Sequence, residues 1–278
     1  MKKIFTLIIS LVCLSVISTH AREIHCGQYI TWYFDIATRA LVLEGSGAMY
    51  DYEYPDSKRP PWYAIRTDIE KIEVSDSITH IGQYAFAGCE NLRSVSLPEG
   101  IIVIGLNAFG GCKSMTSISL PNTLSRLGDF AFSSCSKLNN VHIPDNVSII
   151  GKCAFRFCTS LESITIPEGI TTIRSATFTD CYSLKNVVLP KSLKRIESNA
   201  FDHCTKLPTL TIPEGVEFLG GSVFYDCVSL KSITIPRSVT KVCDYAFQGC
   251  KNLQTLRYPK GLDMSMTKVP ASTKVISY

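Results

Sequence analysis

Beyond its first twenty residues the sequence has no apolar run approaching the roughly 20 residues that a membrane-spanning helix requires. No membrane insertion is therefore expected. An excess of charge of either sign is also missing. The 28 basic and 24 acidic residues leave +4, and setting aside Lys2 and Lys3 leaves +2, too balanced to point to nucleic acid or an anionic membrane surface as a partner. Histidine is scarce, and His25, His80, His142 and His203 are scattered along the chain. There is no Gly-x-Ser-x-Gly, no His-Glu-x-x-His, no phosphate-binding loop and no dinucleotide fingerprint. Glu99, Glu168 and Glu214 recur, but each follows a proline at a turn where a carboxylate is simply solvated. No catalytic residue, cofactor or metal site is expected, and the chain reads as a non-enzyme.

What is present begins with the opening stretch, MKKIFTLIISLVCLSVISTHA. Two lysines precede an apolar run of about fifteen residues, and Thr19 and Ala21 hold the small-residue positions before a cleavage point. This predicts a signal peptide over residues 1–21, an exported chain starting near Arg22, and a cell-surface, secreted or periplasmic destination.

From Ala85 the sequence falls into lines of 23 residues that align without insertion through Pro259. Phe86, Phe109, Phe132, Phe155, Phe178, Phe201, Phe224 and Phe247 form one column. Cys89, Cys112, Cys135, Cys158, Cys181, Cys204, Cys227 and Cys250 form another, three residues on. A leucine (Met115 once) follows, then an apolar pair such as Ile164 and Ile166, then a proline in every line.

Within a line, LESITIP alternates so that Leu161, Ile164 and Ile166 face inward while Ser163 and Thr165 face water, the pattern of a half-buried strand. Proline ends the strand because it has no amide to donate to the next ladder bond. The following GITTI predicts a second short extended piece, and ATFTDC has room for no more than a helical turn on the far side. One line cannot bury its own apolar face; stacked lines can, as a solenoid rising about 4.8 Å per repeat. The expected organisation is an N-terminal cap over 22–61, a solenoid over 62–261 with one degenerate and eight regular repeats, and a C-terminal cap over 262–278. The degenerate repeat puts Trp62 and Tyr63 in the Ala-Phe slots and Arg66 in the cysteine slot. The cap reads as a β-hairpin turning near Ala37 to Arg39.

The pattern LxxIxIPxxVxxIGxxAFxxCxxL, with LVLEGSGAMYDY and PPWYAIRTDIEKIEVSDSITHIG before it, resembles the leucine-rich repeats of bacterial BspA-like surface proteins, related to the treponemal class. The resemblance covers about Leu41 to Gly261. It implies a leucine-rich repeat solenoid of the α/β horseshoe class, mostly β, with a parallel sheet on one side and short helical turns on the other. It also implies an exported bacterial protein of a family associated with binding host proteins and other cells.

The cysteine column is read as buried thiols. Residues 23 apart do not converge on a metal, and equivalent side chains on stacked rungs point in parallel rather than toward one another. Cysteine packs well as a small apolar group. The redox state of the off-column Cys26, Cys153 and Cys243 stays open, although Cys153 and Cys243 lie four rungs apart.

With catalysis set aside, function is expected on the outward strand positions. The central rungs carry the least uniform set, Asn140, His142, Ser163, Thr165, Asn186, Val188, Thr209 and Thr211. These are the expected binding residues for an extended protein ligand, a host or neighbouring-cell protein, with the chain acting as a monomer. The alternative is a glycan-binding component of a carbohydrate-capture system, for which Phe157, Tyr182 and Tyr225 near the opposite turn offer aromatic surface.

Overall fold

The computed structural model describes residues 25–53 and 58–278. The expected signal peptide, residues 22–24 and residues 54–57 lie outside them. The architecture is a mostly β parallel solenoid. Strand β1 (His25–Asp35) and strand β2 (Ala40–Met49) form the antiparallel hairpin. Strand β2 is itself the first rung. Its Leu41 and Leu43 pair in parallel with Ile72 and Val74 of β3 (Lys71–Val74), and its far end pairs with β4 (Ile78–Ile81). Gly45 and Gly47, at φ 124° and 90°, turn the corner between these two pairings. A Cβ on Gly45 would lie 1.9 Å from the Tyr29 carbonyl oxygen, so no other residue fits there.

Every later rung repeats this plan, with pairing offset by 23 residues. Ser163, Ile164 and Thr165 sit beside Asn186, Val187 and Val188 in the first sheet, and Thr172 and Ile173 beside Arg195 and Ile196 in the second. At the C-terminal end Lys274–Ser277 pairs in parallel with Thr255–Tyr258, extending the first sheet by one strand.

The third side consists of hydrogen-bonded turns rather than helices. Alternate amides reach the next rung (Tyr84 to Leu106 oxygen, Phe86 to Ala108 oxygen, each 2.8 Å), while those between them bond three residues back (Cys89 to Phe86 oxygen, 3.2 Å). Two residues per rung take left-handed backbone to make this possible, for example Phe130 and Ser134, or Cys153 and Phe157. The physical reason is spacing: packed helices need 8–10 Å between axes, whereas strands stack about 4.8 Å apart. Turns bonded rung to rung accept the strand spacing.

The core is a set of continuous columns. All eight column phenylalanines are fully buried and stack at centroid distances from 5.3 Å to 5.8 Å. The ring that extends this stack into the degenerate rung is Trp62, not Tyr63. Trp62 lies 5.6 Å from Phe86, donates its Nε1 hydrogen to the Ala85 oxygen at 2.8 Å, and meets Trp32 edge-on at 5.7 Å. Tyr63 instead sits between the guanidinium groups of Arg59 and Arg66, at 4.4 Å and 4.1 Å. A 3-10 turn over Tyr63–Ile65 follows Trp62, and the 23-residue register holds in β3, where Ile72 pairs with Val95.

The expected thiol ladder is present. The eight column cysteines have no exposed surface, and all eleven described cysteines are free. From Cys112 onward each column thiol reaches the carbonyl oxygen of a phenylalanine in the preceding rung, as Cys158 does to Phe132 at 3.2 Å and Cys250 to Phe224 at 3.0 Å. Burial pushes the Cys89 and Cys250 thiols up to about 12. Thiol-reactive reagent at neutral pH is therefore expected to modify the half-buried Cys243 first among the described cysteines and the column cysteines only after denaturant is added. Fast labelling of several column thiols in the native chain would show that the ladder is open.

Candidate binding face

The first sheet places all eight expected binding residues on one exposed surface. Asn140, Ser163, Asn186 and Thr209 form one outward column, and His142, Thr165, Val188 and Thr211 form the other. Between them Val141, Ile164, Val187 and Leu210 point inward and are buried. Strand alternation fixes this division, so the outward side chains can change without disturbing the core.

Hydrogen bonding separates this surface from the rest of the solenoid. Several hydroxyls on the other sides tie rungs together: Ser125 donates to the Ile102 oxygen at 3.1 Å, Thr159 to Ser136 at 3.0 Å, and Ser192 to Ile170 at 2.9 Å. On the first sheet, no side chain of Asn140, His142, Ser163, Thr165, Asn186, Thr209 or Thr211 has a protein partner among the described residues. The face therefore presents unpaired donors and acceptors beside the 48% exposed Val188.

The aromatic residues expected near the opposite turn are also at the surface but are engaged with neighbours. The Arg156 guanidinium covers Phe157 at 4.7 Å, Tyr182 donates its hydroxyl to Asp180 Oδ1 at 2.9 Å, and the half-buried Tyr225 packs against His203 at 5.7 Å. His203 Nδ1 lies 2.6 Å from Asp202 Oδ1, and burial raises the Asp202 carboxyl above its ordinary value. Among the described residues no group of three or more His, Cys, Asp or Glu is arranged to hold a metal ion.

Sequence columns missed one part of the face. Tyr33 pairs with Val42, Val42 with Glu73, Glu73 with Ser96 and Ser96 with Ser119, so β1 continues the same surface beyond the repeats. The alternation in YITWYF was the available signal, but antiparallel pairing outside the 23-residue period cannot be read from the columns.

The profile of the BspA type leucine rich repeat region matches residues 63–185 and 171–269, in six copies, and the chain belongs to this family. Among solved structures it is similar to a leucine rich cell surface protein from Faecalibacterium prausnitzii, at 23% identity and TM-score 0.60 over 92% of this chain and 73% of that one. It is also similar to the leucine rich repeat protein of T. pallidum, at 26% identity and TM-score 0.52 over 67% of this chain and 91% of that one. A leucine-rich repeat protein from Eubacterium ventriosum is 19% identical, with TM-score 0.50 over 91% of this chain and 83% of that one. No curated protein matches the chain.

Proposed function

We propose that this chain is a non-enzymatic, exported bacterial adhesion module that binds a host or neighbouring-cell protein as a monomer through the outer face of its first sheet. One observation carries the reading: among the described residues the hydroxyls and amides of that face's central strands have no side-chain hydrogen bond, whereas several on the other sides, such as Ser125 and Ser192, tie rungs together. A rigid floor of this kind loses little entropy when covered. The description of the Faecalibacterium relative as a cell surface protein supports an exported role, as does the leader expected at residues 1–21.

The test begins with a screen of extracellular-matrix and cell-surface proteins, run beside a glycan array. Changing His142→Ala, Thr165→Arg and Val188→Asp together is expected to weaken binding of the protein found at least tenfold, about 1.4 kcal/mol, with the thermal midpoint nearly unchanged. Centrally placed residues dominate such contacts, and the two new charges add repulsion. Binding that survives this change and disappears when Phe157, Tyr182 and Tyr225 become serine would move the site to the opposite turn. Saturable glycan binding without any protein ligand would favour carbohydrate capture.

A further inference from the structure

The face is long and narrow. Each strand offers two outward positions, and the stack repeats them from β1 to Lys274–Ser277. From Ser94 and Ser96 through Thr255 these two columns contain no lysine, arginine, aspartate or glutamate. Within these two columns ionic groups are confined to the ends, although the ion pair of Glu162 and Lys185 flanks the middle rungs at the strand starts. At the cap end Asp35, Glu44 and Glu73 stand on the same face as Tyr33, with Lys71 bonded to Glu73 at 2.6 Å. Tyr33 is 50% exposed and shares the outward side of β1 with Asp35, while the register sets Glu44 opposite Thr31 and Glu73 beyond Val42, two strands from Tyr33; partial burial first, and then these carboxylates, hold its phenol above its ordinary value. At the other end stand Arg257 and Lys274 in the two columns, with Arg237 beside them. Arg237 and Arg257 lie 5.5 Å and 5.7 Å from the Tyr278 ring, and neither they nor Lys274 forms an ion pair among the described residues.

We infer that the partner lies along the solenoid axis as an extended protein segment with ends of opposite charge, basic over Tyr33 and its carboxylates, acidic over Arg257 and Lys274. This rests on the reading of the first sheet as the binding face. The direction follows from shape, because a chain running across the strands meets the whole face whereas one running along them meets a single rung. The end chemistry follows from charge. An exposed tyrosine with carboxylates on the same face takes a lysine or arginine through ring and ion pair together, and guanidinium groups already held over an aromatic ring are set to receive a carboxylate. The spacing follows from geometry: Glu73 and Arg257 are eight rungs apart, about 38 Å at ~4.8 Å per rung, which an extended segment spans in about 12 residues.

The probe is a fluorescent synthetic peptide with a Lys-Arg-Lys block and a Glu-Asp-Glu block separated by a dozen-residue spacer of serine, threonine and valine, titrated by anisotropy against the full chain at low ionic strength. Glu44→Lys with Glu73→Lys, or Arg257→Glu with Lys274→Glu, is expected to weaken binding at least tenfold. All four changes together are expected to restore it to within about threefold, because the peptide turns end for end on a face whose polarity is reversed. A spacer too short to bridge the ends is expected to bind as weakly as the end variants. Absence of saturable binding, or a fourfold variant weaker than either pair, overturns the inference. Binding that responds to the central triple change but to neither end reversal also overturns it while leaving the sheet-face reading standing. Binding indifferent to both sets of changes overturns both. Displacement of the peptide by a neutral oligosaccharide, with loss of oligosaccharide binding in Tyr33→Ala, would assign the cap end to glycan instead.

Discussion

Raising the pH from 8 to 10 in the presence of a reductant is expected to lower the folding stability by on the order of several kcal/mol. Seven column thiols, at Cys89, Cys112, Cys158, Cys181, Cys204, Cys227 and Cys250, are pushed above the ordinary cysteine range, in each case first by burial. Below about pH 9 the thiols are protonated in both states, and the stability is fully present. Above it, the unfolded chain releases protons that the folded chain retains, so stability falls as pH rises toward the folded values. One unit above an unfolded pKa near 9, a thiol that stays protonated in the folded chain contributes on the order of 1 kcal/mol to this loss. A few such thiols together amount to a large fraction of the stability of an ordinary domain. Denaturant melts at half-unit steps of pH check it, and a stability profile flat to pH 10 would mean that the column thiols ionise in the native chain.

Phe155→Ala is expected to cost about 3 to 5 kcal/mol. The ring is fully buried and sandwiched between Phe132 at 5.6 Å and Phe178 at 5.7 Å, so truncation leaves a void with an unsupported ring on either side. Because each rung touches only its neighbours, the defect should also separate the solenoid into halves that melt at different denaturant concentrations. An exposed change such as Ser163→Ala should stay within about 0.5 kcal/mol. Chemical denaturation followed by two probes decides it, and a cost for Phe155→Ala below about 1 kcal/mol would mean that the phenylalanine column is not core.

The columns made most of the fold legible because a fixed 23-residue period leaves little freedom: once Phe155 and Phe178 share a column, every residue between them is placed. Inward and outward strand positions followed from alternation, which is why Asn140 to Thr211 all lie on the exposed face. The turn side was less legible. Phe130, Cys153 and Tyr245 take left-handed backbone although nothing in those residue types signals it. Their conformation is imposed by bonds to the next rung, at a cost of about 1–2 kcal/mol per residue. Burial of Cys158 was readable from its neighbours, but its bond to the Phe132 carbonyl was not, since that depends on side-chain direction between rungs. The exchange of Trp62 for Tyr63 was not legible, because this rung carries a 3-10 turn at Tyr63–Ile65 that the column pattern does not signal.

The rung-to-rung offset has a consequence for how such a chain can change length. Residue 163 pairs with 186 and residue 172 with 195 by the same rule that governs the rungs on either side. Excision of one 23-residue unit from the middle therefore rejoins like with like: strand meets strand, ring meets ring, and each thiol finds the carbonyl its predecessor used. Gain or loss of whole units is the inexpensive route to diversity for this protein, whereas an insertion of any other length must be looped out at a turn. A lineage that adds or drops units adjusts the length of its exposed sheet face in steps of about 4.8 Å, while the cap and the closing strand stay as they are.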